Sequence, residues 1–430
     1  MRSLRRIAAI TAASALTIGA LAGCAAQPAE SDGPVTLRYW SWAPGIEKIV
    51  ALWNDENPDI QVEVNTSTGG ADIVAKLAAA KEAGDLPDLS NTTYENLPNL
   101  IVNEIAADVT DAMAPYQDEV APAALELTTF DGVSYAVPQG TGPMFLYYRT
   151  DVFEQHGIEV PTTWDEYAQA ARDLAAAAPG TYLSTFAPND AQVFNALSQQ
   201  AGAEWWSLDD GQWSVDIDSD ASQQVADYWN GLVDEGVLAT FKTNTPEWQA
   251  AIANGTLASW ISAVWAPPLI AQNAPDTTGL WGAVRIPQWQ AGEQVSGVVG
   301  GSGTIVTTAT EHSEQAREFA IWLNNHEDAI NAYIENASIW PANLAGRELP
   351  ALRDSVSPVL AEPEGFFDLA GEIDDEIVPV TFGPNTAAAN SAFNDIFSAA
   401  VSRGTPFRDA LVELQANVVA DMNNLGYEVD

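Results

Sequence analysis

The chain has 430 residues, 47% of them apolar and 9% aromatic, with 15 tryptophans. That composition belongs to a folded protein with a core large enough for two domains, and it excludes a disordered chain. Sixteen Lys and Arg stand against 59 Asp and Glu, a net charge of −43, which excludes general affinity for nucleic acid and disfavours an anionic lipid surface, because both need clustered basic side chains. The acidity itself reads as a strongly solvated outer face. A salt-rich habitat and a cationic ligand are the sharper readings.

At the start of the chain, Arg2, Arg5 and Arg6 precede an apolar run from Ile7 to Ala22 that closes on Gly23 and Cys24. This is the pattern of a secretory signal, and its apolar core is shorter than the ~20 residues a transmembrane helix needs. "LAGC" resembles the bacterial lipobox. We therefore expect a lipoprotein signal peptide over 1–23, lipidation of Cys24, and a flexible tether over 24–34, where "AAQPAESDGP" is small, polar and Pro-containing. The lipid would be the membrane contact, placing the protein on the extracellular face of the cell membrane. Cys24 is the only cysteine, so no intramolecular disulfide is possible and stability must come from the core.

From Val35 on, "VTLRYW", "IEKIVALWNDE", "IQVEV" and "ADIVAKLAAAKEAG" alternate β-type runs with amphipathic helical ones, which predicts βαβ units and a parallel sheet. In "PTTWDEYAQAARDLAAAAPG", Thr163 and Glu166 form a capping box. Trp164, Tyr167, Ala168, Ala171 and Leu174 share one face, and Pro179 with Gly180 stops the helix. Trp164 is read as core. "DDGQWSVDIDSDAS" sets Asp216, Asp218 and Asp220 at alternate positions but lacks the glycine and closing glutamate of a calcium loop. It reads instead as a hairpin strand followed by an Asp or Ser helix cap. "SEQAREFAIWLNN" turns Ala316, Phe319, Ala320 and Leu323 to one side. The last helix is predicted to be capped by Thr405, to begin with Pro406, and to bury Phe407, Leu411, Leu414 and Val418. No internal repeat is present.

Catalytic and metal constellations are missing from the pattern. His156, His312 and His326 are isolated, without a second histidine or a cysteine at ligand spacing. "VGGSGT" is not a nucleophile elbow, since the residue two after Ser302 is Thr304. With 59 carboxylates, some pair will always sit at a glycosidase-like separation, so their abundance carries no information. No enzyme activity, cofactor or metal is expected. What stands out is aromatic residues at segment ends: Trp42, Tyr94, Trp205, Trp206, Trp265 and Trp340 each fall where an apolar run gives way to Gly, Pro, Ser or Asn. Open α/β sheets bind ligands beyond the carboxyl ends of their strands. Flat apolar sugar faces stack on such rings while hydroxyls bond to Asn, Asp, Glu and backbone groups. A neutral polyol fits that set.

Residues 130–174, "FDGVSYAVPQGTGPMFLYYRTDVFEQHGIEVPTTWDEYAQAARDL", resemble the extracellular solute-binding lipoproteins of sugar-importing ABC transporters, the class of the maltose-binding protein. Further stretches match that family in order: "GDLPDLSNTTYENL" (84–97), "GTLASWISAVWAPPLI" (255–270), "WGAVRIPQW" (281–289), "VVGGSGTIV" (298–306) and "SIWPANL" (338–344). The resemblance implies a two-lobed periplasmic-binding-protein-like α/β fold, each lobe a mainly parallel sheet flanked by helices, with ligand held between the lobes. Lobe one would take 35–139 and 304–341, lobe two 144–299 and 342–430, with hinges near 139–143 and 300–303. It implies a monomeric receptor that captures a mono- or oligosaccharide and passes it to membrane permease subunits. A receptor for a polyamine or another small cation is the alternative, and a secreted carbohydrate-active enzyme a lesser one.

Family positions carry over onto Trp265, which follows the "G-x-x-A-x-W-I" pattern and would stack on sugar, and onto Asn189 and Asp190 in "FAPNDAQ" as polar ligand groups, although Asx residues before a helix commonly cap it. Trp340, Gly301 and Ser302 match cleft-facing positions. Tyr94 and Glu95 lie where the family places an aromatic and a carboxylate. Of the adjacent Trp205 and Trp206 at most one would face ligand, and Trp205 is taken as the candidate; Phe382 and Asn385 in "VTFGPN" come from the late crossover. Gly142 falls near a carboxylate position of the maltose-binding pattern, which puts maltose itself in doubt. Along the first strand Val35, Leu37 and Tyr39 share one face and Thr36, Arg38 and Trp40 the other. Trp42, past the strand end, is then expected to stack on ligand, with Trp40 as its support.

Overall fold

Two sheets organise the computed structural model, which describes residues 34–67, 73–209, 211–337, 339–355 and 357–429. The expected signal peptide and Cys24 lie outside the described residues. In the first sheet the strands stand in the order Ile60–Asn65, Val35–Trp40, Leu89–Thr93, Ser302–Val306, Val137–Gly140. Val35–Trp40 runs parallel to both of its neighbours, as the βαβ alternation predicts, while Ser302–Val306 returns antiparallel between Leu89–Thr93 and Val137–Gly140. The second sheet comprises Ser259–Ala263, Met144–Arg149 and Trp281–Arg285, in that order.

Both pairings of the second sheet are antiparallel, which corrects the expectation of a mainly parallel sheet in each lobe. Two of its strands are buried on both faces: every residue of Ser259–Ala263 is buried, and all but one of Met144–Arg149. Such strands read as continuous apolar runs whatever their direction.

Each sheet collects its own core. Tyr39, Ile46, Trp53 and Phe319 bring helices Ile46–Glu56 and Ser313–Asn325 onto one face of the first sheet. Phe319 meets Tyr39 and Trp53 edge-on at 5.7 and 5.4 Å. Ile73, Leu77, Leu97 and Ile305 form a smaller cluster, against which Trp40 and Trp42 both pack half-buried. In the second lobe, Met144 and Leu146 face a large cluster of helices that includes Trp164–Ala177, Ala191–Gln200, Asp220–Asp234, Thr386–Arg403 and Phe407–Asn424. Phe145, Tyr147 and Trp281 face another, with Trp248 and Phe366.

Local signals set the helix ends. The Thr163–Glu166 capping box is formed, and Trp164 lies in the core with its indole N–H donating to Gln200 Oε1 at 2.9 Å. Ser219 caps Asp220–Asp234 after the Gln212–Val215 strand, so the alternating aspartates belong to a hairpin and a cap. Among the described residues no His, Cys, Asp and Glu cluster could hold a metal ion. Thr405 does not cap the last helix: Pro406 occupies the cap position, and Asn230 Oδ1 accepts the Phe407 N–H at 2.8 Å. No helix of the described residues is long and apolar enough to cross a membrane.

Three segments run side by side between the sheets. Val299 N–H donates to Gly142 O at 3.0 Å, Thr141 N–H to Trp340 O at 3.2 Å, and Ala342 N–H to Gln139 O at 2.9 Å. Gly142 is needed for close approach, not for an unusual angle: a Cβ there would lie 2.0 Å from Val299 O. Gly301 meets both demands, with φ +85 and a Cβ that would stand 2.8 Å from the Tyr94 ring.

Candidate functional site

Where the crossovers leave the first sheet, its strand ends and the facing helices of the second lobe enclose two connected cavities. The inner one, about 280 Å³, is lined by Trp42 from the loop after Val35–Trp40, Gln139 and Thr141 from the first crossover, Gly301 and Ser302 from the second, and Trp340 from the third. The outer one, about 690 Å³, is lined by Glu95, Asn189, Asp190, Ser262, Asn390 and Asn394. Thr93, Gln192 and Trp265 line both. Among the described lining residues the inner cavity has no charged side chain and the outer has only Glu95 and Asp190.

Trp265 stands at the junction. It ends the loop after Ser259–Ala263 and precedes helix Ala266–Asn273, whose first turn carries proline. Its indole N–H donates to Val299 O at 3.2 Å and its ring meets Trp260 edge-on at 6.2 Å. Nitrogen and one edge are thereby fixed, so the ring holds its orientation in the cleft wall while it remains half-buried. A flat apolar surface held this way suits an apolar sugar face.

Glu95 follows the Leu89–Thr93 strand and takes hydrogen bonds from the other lobe, one from Gln192 Nε2 and one from Asn390 Nδ2 at 3.4 Å. Burial holds its carboxyl above the usual carboxylate range against the opposing effect of those donors, and nearby Asp190 pushes the same way. Asp190 caps Ala191–Gln200 through Val193 N–H at 3.3 Å, and its burial also raises its carboxyl. Asn189 is pinned to Thr243, accepting its N–H at 2.9 Å and donating to its carbonyl at 3.2 Å.

Several lining groups have hydrogen-bonding capacity unused by the protein. Gln139 Oε1 accepts from Ser302 Oγ at 2.7 Å and from Asn91 Nδ2 at 3.3 Å, while its Nε2 is buried without a partner. Trp340 Nε1 in the inner cavity and Ser262 Oγ and Asn394 Oδ1 in the outer are in the same condition. A buried polar atom left unpaired costs about 1–3 kcal/mol. On the cleft walls these groups offer hydrogen bonds that a ligand rich in hydroxyls can take up. Gln139, Gln192, Ser262, Asn390 and Asn394 were not legible as site residues, because an amide or hydroxyl side chain inside a strand, a helix turn or an Ala-rich helix carries no local pattern that separates it from surface or core.

Of the sequence candidates, Trp42, Glu95, Asn189, Asp190, Trp265, Gly301, Ser302 and Trp340 are brought together in the cleft. Trp340 is only 4% exposed, lies parallel to Phe367 at 6.0 Å and sits under Arg347 at 4.8 Å, so its free contribution is the indole N–H and not an open stacking face. The remaining candidates line neither cavity. Tyr94 is fully buried beneath Gly301 as part of the floor, where burial strongly raises its phenol. Trp205 and Trp206 are both core: Trp205 donates to Ser222 Oγ at 3.0 Å and Trp206 to Asn385 Oδ1 at 3.2 Å. Asn385 also donates to Val418 O at 3.2 Å, and Phe382 packs into the first lobe's core. Tyr94, Trp205 and Trp206 sit where apolar runs end, but their rings point inward to fill the lobes, a difference that adjacency to Gly or Pro does not encode.

A two-lobed molecule with a mostly uncharged, aromatic cleft at its crossovers is a receptor that holds a small solute between its lobes. The family model for bacterial extracellular solute-binding proteins matches residues 39–330, and the chain belongs to that family. It is 24% identical over 415 residues to an arabinooligosaccharide-binding protein of Halalkalibacterium halodurans, covering 91% of this chain and 90% of that one. It is 24% identical over 308 residues to a lactose-binding protein of Rhizobium radiobacter, with 67% and 69% covered. Among solved structures, the galacto-N-biose-/lacto-N-biose I-binding protein of the ABC transporter from Bifidobacterium longum superposes with a TM-score of 0.81 at 27% identity, over 93% of this chain and 99% of that one. An ABC transporter associated binding protein from B. animalis subsp. lactis shares the fold at a TM-score of 0.82 and 21% identity, over 93% and 100%.

Proposed function

We propose that this chain is an extracellular receptor that captures a neutral mono- or oligosaccharide between its lobes and delivers it to the permease of an ABC importer. Trp265 carries this reading: one fixed aromatic ring shared by two connected cavities whose walls hold unpaired polar groups and few charges. The sugar-binding relatives support the ligand class. Lobe one takes 35–139 and 304–341 and lobe two 144–299 and 342–430, so closure turns about 139–143 and 300–303. The protein acts as a monomer held to the outer face of the membrane by a lipid on Cys24 and does not alter its ligand chemically.

With no Lys or Arg among the described lining residues, uronic acids and sugar phosphates should be rejected, since an anion would be buried without a countercharge. Titration of intrinsic tryptophan fluorescence and melting temperature with neutral sugars, acidic sugars and polyamines tests the reading. Neutral sugars should shift both signals. A response to polyamines alone overturns the reading in favour of a cation receptor, and shortened sugar in the mixture overturns it in favour of an enzyme.

A further inference from the structure

The second-lobe wall of the cleft contains a smaller recess of about 40 Å³. Asp190, Val193, Thr243 and Trp260 line both this recess and the outer cavity, so the two adjoin at one mouth. Phe186, Phe194 and Trp229 make the recess largely apolar, with the hydroxyl side chains of Ser184 and Thr185 also in its wall. One water needs about 10–15 Å³ of such space, so the recess has room for about three non-hydrogen atoms.

Asp190, at the mouth, is the one charged residue among the described residues lining the recess. Asp190 accepts from Val193 N–H at 3.3 Å and from Thr243 Oγ1 at 3.4 Å, both long bonds for a carboxylate that has about four acceptor positions. A group that fits the whole feature presents an N–H at the mouth and a short apolar end within. A hydroxymethyl arm has only two non-hydrogen atoms and would leave part of the recess unfilled. A lone methyl would leave most of the recess unfilled and its lining short of contacts.

We propose that this recess is a subsite for an acetamido group, so that the preferred ligand carries an N-acetylhexosamine unit against the second lobe. The proposal rests on the sugar-receptor reading above. The acetamido N–H meets Asp190, its carbonyl accepts from the Ser184 hydroxyl in the recess wall, and the acetyl methyl packs among Phe186, Phe194 and Trp229.

Calorimetric titration with matched pairs tests it: lacto-N-biose against galactosyl-β-1,3-glucose, N-acetyllactosamine against lactose, and N,N′-diacetylchitobiose against cellobiose. The acetamido member of at least one pair should bind at least about tenfold more tightly than its hydroxyl counterpart, the scale of discrimination a small apolar pocket gives. Ser184→Thr adds one methyl to the recess lining and should cut that preference several-fold. Leu197→Phe fills the recess and should bring the pair to within about twofold. Both residues line the recess and neither lines the cleft cavities, and the milder Ser184→Thr keeps the test open if Leu197→Phe does not fold. Equal binding within every pair, or a preference that survives both variants, overturns the subsite. If other neutral sugars bind and none of these six does, the subsite is overturned while the receptor reading stands; if no neutral sugar binds, the receptor reading falls and the subsite with it.

Discussion

Glu95 reaches from the first lobe to two amide donors of the second, Gln192 and Asn390, and so ties the lobes together beside the ligand space. Its buried carboxyl is held above the usual range. In the interval between the unfolded value, ~4.3, and the raised folded value, the native state binds more protons than the unfolded one, so this group's contribution makes stability fall as pH rises. Glu95→Gln removes that dependence: melting temperatures from pH 4 to 7 should show the wild type losing ground to the variant as pH increases. A wild type that gains on the variant over the same interval contradicts the assignment. Trp42 and Trp265 were legible in the sequence because each follows a β-type run and stands among loop residues. Trp205 carries the same signal and is core, because the side on which a ring folds is set by the packing of distant helices.

At the scale of elements, the crossovers are held by Asp374, which accepts from Thr141 Oγ1 and from Arg347 Nη2 at 2.7 Å. The Arg347 and Asp374 side chains are 11% and 3% exposed, so removing the cation strands a buried carboxylate. Arg347→Met should cost about 3–5 kcal/mol in urea unfolding, the range for breaking one half of a buried pair; a loss below 1 kcal/mol contradicts the buried-pair account. Gly142→Ala, which would set a Cβ 2.0 Å from Val299 O, should cost about 1–3 kcal/mol by overpacking. The parallel βαβ order was legible in the first third of the chain, where strand and helix periods alternate within short connections. Strand direction in the second sheet was not. Met144–Arg149 pairs with Ser259–Ala263 and Trp281–Arg285 across more than a hundred residues, and continuous apolar runs specify neither partner nor direction.

For the whole molecule, a net charge of −43 is a self-repulsion that the fold must tolerate in dilute buffer. Added salt screens it over about 10 Å at 0.1 M, so the melting temperature should rise between 20 mM and 500 mM NaCl. A fall would mean that attractive surface pairs outweigh the repulsion. The same charge leaves the cleft largely untouched, since its inner cavity has no charged lining among the described residues, and this separation of an acidic exterior from a nearly neutral interior favours a neutral solute. Its most direct test is calorimetric titration of the wild type and Trp265→Ala with the neutral sugar that gives the largest fluorescence response. The wild type should bind one equivalent, and the variant, still folded with a cooperative melting transition, should bind at least about 30-fold more weakly, roughly 2 kcal/mol. Equal affinity in the two proteins would contradict a ligand held against that ring.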